Sequence, residues 1–428
     1  MSRTEQDLLQ RLIRIPSVNP AFVDDSRQNG GEADLADFLV DFLEKNHWPW
    51  LRQTVHPGRD NLIAVVRGSS PQADSDVTLW EVHQDTVGTE GMRIDPFAAE
   101  VRDGRIWGRG ACDVKGGMAA MLTALTRVQQ EPARQCSTIV LAMTVNEESG
   151  FTGAKSLGRL WSQDETNSAN LGETTGPLTL EELRSLRPRQ AIVAEPTMLS
   201  VVVAHKGVVR WRCRVRGRAA HSSQPERGVN AIYAMARVVH AIEQFQLQVL
   251  SQRHAHPLCG SPSVCVSTIQ GGTGVNTVPD EVAIDIDRRV TPGEQSDVAY
   301  QELVDYVADD FAKHAVAERA DCGQTTIEHE LPWLESPGLD DQHNREWGRR
   351  MAAVVRSTGS ASGLAGGAGE LIGVPYGTDA PAIAACGIPT IVFGPGSIDQ
   401  AHTDDEWLDL KGLSRAVEIF CRLACDTR

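Results

Sequence analysis

Apolar positions along this chain follow two rhythms, and the change falls near residue 206. Before it, short, mainly apolar runs stand at 61–67, 77–83, 138–145 and 190–194. Runs of this kind predict strands buried on both faces, as in an α/β sheet covered by helices. A helical stretch at 117–129 lies between two of them, and Thr4-x-x-Asp7 followed by Leu8, Leu9, Leu12 and Ile13 predicts a capped amphipathic helix. In such sheets ligands gather beyond the carboxyl ends of the strands. His83, Glu147, Glu148 and Glu195 each end or directly follow a predicted strand.

From about Lys206 the period becomes two. Val209, Trp211, Cys213 and Val215 alternate with Arg210, Arg212, Arg214 and Arg216, which predicts a strand with one apolar and one basic face. A helix follows at 230–245, with Ile232, Met235, Val238, Val239, Ile242 and Phe245 at helical spacing. Strands at 264–269 and 282–286, a helix at 294–316 and a strand at 325–330 complete the order β-α-β-β-α-β of the ferredoxin-like motif. The chain thus divides into a first part of a catalytic domain at 1–205, an inserted α+β domain at 206–331, and a second part of the catalytic domain at 332–428, closing in a helix at 411–425. The arginine row reads as a solvated or subunit-facing surface rather than an anion site. Residues 158–189 are polar and read as a loop, with a short capped helix from Thr179-Leu180-Glu181-Glu182 to about Leu186. Residues 359–369 are rich in small residues and read as a flexible connection.

Composition narrows the function. The net charge of −16 argues against nucleic acid or an anionic membrane as partner. Nine scattered cysteines without a CxxC pair suggest reduced thiols and a cytoplasmic protein. The opening residues, charged from Arg3, do not read as a signal peptide, and the apolar run 139–145 is far too short to span a bilayer.

Five distant segments carry the chemistry: His83-Gln84-Asp85, the Gly-rich stretch ending in Asp113, Asn146-Glu147-Glu148, Glu195 and His402. Two imidazoles and this many carboxylates exceed what one catalytic zinc takes and suit two metals sharing a carboxylate. Asp85 is placed to orient the His83 ring by hydrogen bond. Glycines on both sides of Asp113 permit the close backbone approach that a bridging carboxylate needs. Glu147 and Glu148 repel each other unless a cation holds them. One can bind metal while the other stays free as a general base.

These residues resemble the family of dinuclear zinc amidohydrolases that includes acetylornithine deacetylase, succinyl-diaminopimelate desuccinylase, aminoacylase and the glutamate carboxypeptidases (carboxypeptidase G). The resemblance runs from about residue 5 to the C-terminus. It implies a zinc-peptidase-like catalytic domain, with a mixed sheet flanked by helices, and an inserted ferredoxin-like lid and dimerisation domain. It implies one zinc on His83, Asp113 and Glu195, and a second on Asp113, Glu148 and His402, with Asp113 bridging and Glu147 as base. Cobalt or manganese would suit the same ligands. A cis peptide at Asp113–Val114 is also implied. His221, in Gly217-Arg218-Ala219-Ala220-His221-Ser222-Ser223, is similar to a histidine that reaches the substrate carbonyl across a subunit interface. Asn276 resembles a substrate-binding asparagine. Arg289 resembles the arginine that grips the substrate carboxylate, with Arg288 as its rival by one position. Gly377 and Thr378 resemble a substrate-side loop.

The tail from Phe393 to His402 and the stretch from Gly217 to Asn230 look closest to acetylornithine deacetylase. Three departures weaken that assignment: the 47 positions from Glu148 to Glu195 exceed the family's usual spacing, Gly88 stands where many relatives have proline, and Asp379 where that branch often has glutamate. The expected activity is metal-assisted hydrolysis of a small N-acyl amino acid by a homodimer. A desuccinylase, a dipeptidase or carboxypeptidase, and a non-catalytic binding protein on the same fold are the competing readings.

Overall fold

The mainly apolar runs form strands, and the computed structural model describes residues 4–23, 31–70, 73–131, 135–162, 171–317, 325–359 and 369–426. Val77–His83 and Thr138–Thr144 are buried at every position and pair in parallel at the centre of a sheet. Gln190–Val193 pairs in parallel with the other side of Val77–His83, and Thr390–Val392 continues the parallel set. Arg59–Val66 joins Thr138–Thr144 antiparallel, and Trp50–His56 joins Arg59–Val66 antiparallel. The sheet is therefore mixed, and nine strands belong to it among the described residues.

Helices cover it. Lys115–Gln129 packs against Leu410–Ala424 and against Thr4–Ile13. The Phe420 ring meets Trp80 of the central strand at 5.0 Å and Phe393 at 5.8 Å. The first helix stands where the apolar spacing predicts it, while the Thr4 side chain of the expected cap lies outside the described residues.

The chain forms two compact units, Met1–Val203 with Asp341–Ile372 and Thr378–Arg428, and Ala204–Asp340 with Gly373–Gly377. In the second unit, Gly207–Arg216 pairs antiparallel with Glu281–Val290 on one side and Thr326–His329 on the other, and Ser263–Gly271 flanks Glu281–Val290. Helices Ala231–Gln244 and Ser296–Ala317 pack on the apolar face of this sheet. Numbered along the unit, these four strands lie in the order 2-3-1-4, all antiparallel, the ferredoxin-like arrangement expected from the β-α-β-β-α-β order, and Leu334–Ser336 adds a fifth strand beside Gly207–Arg216. Asn230 starts the first of these helices by accepting from the Ile232 and Tyr233 amides. Trp211 lies in the core edge-on to Tyr300, and its indole donates to His329 Nδ1 at 3.0 Å.

The polar stretch 158–189 is less of a loop than its composition suggests. Thr174–Thr175 pairs with Gln53 and Arg52 and closes the edge of the large sheet. Helix Leu180–Ser185 carries the full capping box of Thr179 and Glu182. Residues 163–170, and 360–368 of the expected flexible connection, lie outside the described residues. Among the described residues no helix is long and apolar enough to cross a membrane.

Candidate metal centre

All five expected ligands and Glu147 belong to the first unit. His83 ends its strand, and its Nε2 lies 3.1 Å from Asp113 Oδ1. The other Asp113 oxygen faces a different histidine, with Oδ2 3.3 Å from His402 Nε2. His402 Nε2 is also 3.1 Å from Glu148 Oε2. Two donor sets follow, each with ligand atoms within 4.8 Å of one another: His83, Asp113 and Glu195, and Asp113, Glu148 and His402. Asp113 belongs to both.

The Asp113 loop is held by an acid that the sequence reading did not single out. Glu406 is fully buried and accepts from the main-chain amides of Gly110, Cys112 and Asp113 at 2.7–3.0 Å and from Arg109 Nη1 at 2.7 Å. Arg109 in turn reaches the carbonyls of Gly88 and Thr403. Gly110 has φ +80°, and a Cβ there would stand 2.9 Å from the Thr86 methyl, so the loop needs glycine at this point. The peptide between Asp113 and Val114 is cis. Just beyond it Lys115 is buried and donates to the Leu12 and Ile15 carbonyls at the end of the first helix.

The Glu147-Glu148 turn is also held from outside. Asn146 adopts a left-handed conformation, φ 64°, which asparagine tolerates better than most residues. Its amide donates to Glu32, and its side chain bonds Asn19, Arg59 and Thr152. Asp85 acts differently from the sequence expectation. The His83 ring is held by the Asp85 main-chain carbonyl, 2.9 Å from Nδ1, while the nearer carboxylate oxygen is 3.7 Å away. That carboxylate instead accepts the amides of Glu147 and Glu148 at 3.0 and 3.1 Å and the Asn19 side chain at 2.7 Å. It aims the two glutamates.

Acid outnumbers base here. Burial, then repulsion from Glu195 and Glu148, raises the Glu147 carboxyl well above its usual range. Glu148 and Glu195 are raised by burial and by the Asp113 charge. Behind them, burial pushes Asp379 up to about 7, beside Glu81 and Thr144. Burial also disfavours a charged His402, but its bonds to Asp113 and Glu148 raise it to about 11. Asp113 is the exception, because bonds from His402 and His83 outweigh burial and hold it low. Buried carboxylates in this number favour a cation among them. The spacing fits as well. Two ligands at 2.0–2.1 Å from a tetrahedral metal lie about 3.3 Å apart, close to the 3.1–3.3 Å separations around Asp113.

The residues read as substrate-binding sit mainly in the second unit. His221 is exposed on the short strand Ala220–His221, which pairs with Thr277–Val278. The Ser222 amide donates to the Asn276 carbonyl at 3.0 Å, so His221 and Asn276 come together. Arg288 is fully buried on the apolar side of its strand and bonded to Glu294, whereas Arg289 points to the other face, where Asp287 holds it at 2.6 Å. Of the two, only Arg289 keeps a partly exposed side chain. Gly377 lies beside Lys206 and Val208, and Val208 is the strand partner of Arg289. Thr378, in the first unit, is fully buried with its hydroxyl accepting the Ala380 amide, which leaves that side chain no open face. The arginine row is paired throughout: Arg210 with Asp287, Arg212 with Asp285, Arg214 with Glu330 and Glu281, and Arg216 with Glu281 and Glu328.

Residues 79–426 match the family model described as Peptidase family M20/M25/M40. An acetylornithine deacetylase of Myxococcus xanthus is 30% identical over 366 residues, covering 85% of this chain and 82% of that protein. Among solved structures, the dipeptidase Dug1p of Saccharomyces cerevisiae superposes with a TM-score of 0.71 at 13% identity, over 99% of this chain and 96% of that one. The YXEP protein of Bacillus subtilis, described as a dinuclear metal-binding peptidase of the M20 family, gives 0.61 at 16% identity, over 98% and 96%.

Proposed function

The chain belongs to peptidase family M20/M25/M40, whose members are metal-dependent hydrolases of amide bonds, and on that premise we propose that it deacylates an N-acyl amino acid. The observation that carries the reading is Asp113, whose two oxygens face different histidines within two overlapping donor sets, with Glu147 buried beside them. The proposed substrate is N-acetyl-L-ornithine, giving L-ornithine and acetate. Its support is the 30% identity to an acetylornithine deacetylase.

Two zinc ions are the proposed occupants, with cobalt or manganese as alternatives on the same nitrogen and oxygen donors. His83 and Glu195 would hold one, Glu148 and His402 the other, and Asp113 would serve both. Bound metal supplies Lewis-acid polarisation of the acyl carbonyl and acidifies water towards a pKa of roughly 7. Glu147 takes a proton from the attacking water and returns it to the departing amine nitrogen, so the carboxylate ends as it began. Asp85 positions Glu147 and Glu148 through their amides. On the substrate side, His221 is proposed to donate to the carbonyl oxygen as negative charge grows there, Arg289 to bind the substrate carboxylate, and Asn276 and the Gly377-Thr378 main chain to line the substrate.

The second unit is proposed as the lid and dimerisation domain of a cytoplasmic homodimer, and arginine biosynthesis as the context. A dipeptidase or carboxypeptidase is the second reading, favoured by the similarity to Dug1p. A succinyl-diaminopimelate desuccinylase is a third. Release of free α-amine from N-acetylornithine, N-succinyl-diaminopimelate, other N-acetyl amino acids and dipeptides, with and without added Zn²⁺ or Co²⁺, separates them. Metal-dependent preference for N-acetylornithine is the expected result. Preference for dipeptides with a free amino group overturns the deacylase reading.

A further inference from the structure

Eight cysteines are described, none in a disulfide, yet two of them meet: Cys136 Sγ and Cys425 Sγ lie 3.0 Å apart, 289 positions apart in sequence. The meeting is built into the backbone. The Ser137 amide donates to the Ala424 carbonyl at 3.0 Å, so the two cysteines flank a main-chain hydrogen bond joining the entry of strand Thr138–Thr144 to the end of helix Leu410–Ala424. The Cys136 carbonyl is fixed by the amides of Ser69 and Ser70 at 3.0 and 3.1 Å, and the Cys425 amide bonds the Arg422 carbonyl at 3.2 Å. The two sulfurs are thus already in contact in the folded chain. Cys136 is buried, whereas Cys425 is half-buried and lines an open cavity of about 1130 Å³, so a small reagent reaches Cys425 first.

We propose that Cys136 and Cys425 are a dithiol site that closes to an intramolecular disulfide by exchange with a small-molecule disulfide. The Cys425 thiolate attacks one sulfur of the reagent, forms a mixed disulfide and releases one thiolate. The Cys136 thiolate then attacks Cys425 Sγ and expels the second. The protein loses two hydrogens and the reagent leaves as two thiols, so electrons and atoms balance. Pre-positioned sulfurs make the second step intramolecular, and the product ties the last helix to the central sheet across a long loop, which restricts the unfolded chain.

The test is to incubate the folded, reduced full-length protein with glutathione disulfide, block remaining thiols by alkylation, and map the peptides by mass. Two alkylatable thiols disappear, a cross-linked pair joins 136 to 425, and the product melts several degrees above the reduced protein. Cys425→Ser abolishes both the cross-link and the melting shift, and Cys136→Ser accumulates a glutathione adduct at Cys425. Full alkylation at both positions after incubation overturns the proposal. So does a cross-link from Cys425 to Cys421 on the same helix, or a 136–425 cross-link that forms only in denaturant.

Discussion

The two units use charge in opposite ways. In the second, four arginines along Gly207–Arg216 each meet an acid, so every guanidinium is paired and the row serves the sheet. In the first, Glu147, Glu148, Glu195 and Asp379 are driven towards their protonated forms by burial and by neighbouring acids, with only two imidazoles among the proposed ligands to offset them. Balanced charge builds architecture, whereas buried imbalance is expensive unless an ion completes it. The contrast separates two rows of charged residues that composition alone makes equally conspicuous.

The sharpest way to break it is to remove the shared acid. Asp113→Ala is expected to lose both metals and all measurable turnover, read by elemental analysis beside the amine-release assay. A variant that keeps two metals per chain breaks the assignment. Glu147→Gln should lower kcat by about 10²–10⁴-fold while metal content stays unchanged. Glu406→Gln should weaken metal affinity or activity by about 10–100-fold, since it acts only through the Asp113 loop. Chelator titration would register this as earlier metal loss.

The second unit should respond to pH rather than to metal. Burial pushes both His205 and His329 down to about 4. Their folded values lie below the unfolded value of about 6.5, so the unfolded chain binds more protons between these limits. Stability from the two neutral rings is complete above about 6.5 and is lost as pH falls from there towards 4, by at most about 1.4 kcal/mol per pH unit for each ring. Melting curves across that range should show the slope, and His329→Asn should lessen it. Smallest of all, Arg212→Gln should change stability by within about 1 kcal/mol and leave turnover intact, because its ion pair is partly solvated.

Much of the fold was legible because burial leaves a one-dimensional trace. Val77–His83 is buried at all seven positions, and four of them are apolar, including Leu79 and Trp80 side by side. The alternation at Val209–Val215 records one face in and one face out. The residues that gather around Asp113 were legible for a different reason: imidazole and carboxylate at strand ends are costly without a use. What escaped were residues that act through main-chain groups far away. Glu406 looks like any surface acid beside Asp404 and Asp405 until the loop 293–296 positions earlier folds onto it. Asp85 stood close enough to His83 to suggest that its carboxylate holds the ring, when that carboxylate serves Glu147 and Glu148. Thr174–Thr175 has too few residues to show a period, so only its pairing with Gln53 and Arg52 identifies it as a strand.

Glu406 also sets an order in time. The loop that presents Asp113 is synthesised in the first third of the chain, but the carboxylate that gathers its amides arrives only with the last segment, four positions after His402. A ribosome still translating residue 400 therefore carries a nascent chain with these loop amides unclaimed and one histidine unmade. Chains of this length fold in stages, and the loop cannot make its final bonds until the last segment is present. A chain broken off before residue 402 would lack one member of the second donor set and the acid that gathers the Asp113 loop, so only the finished molecule holds both sets complete.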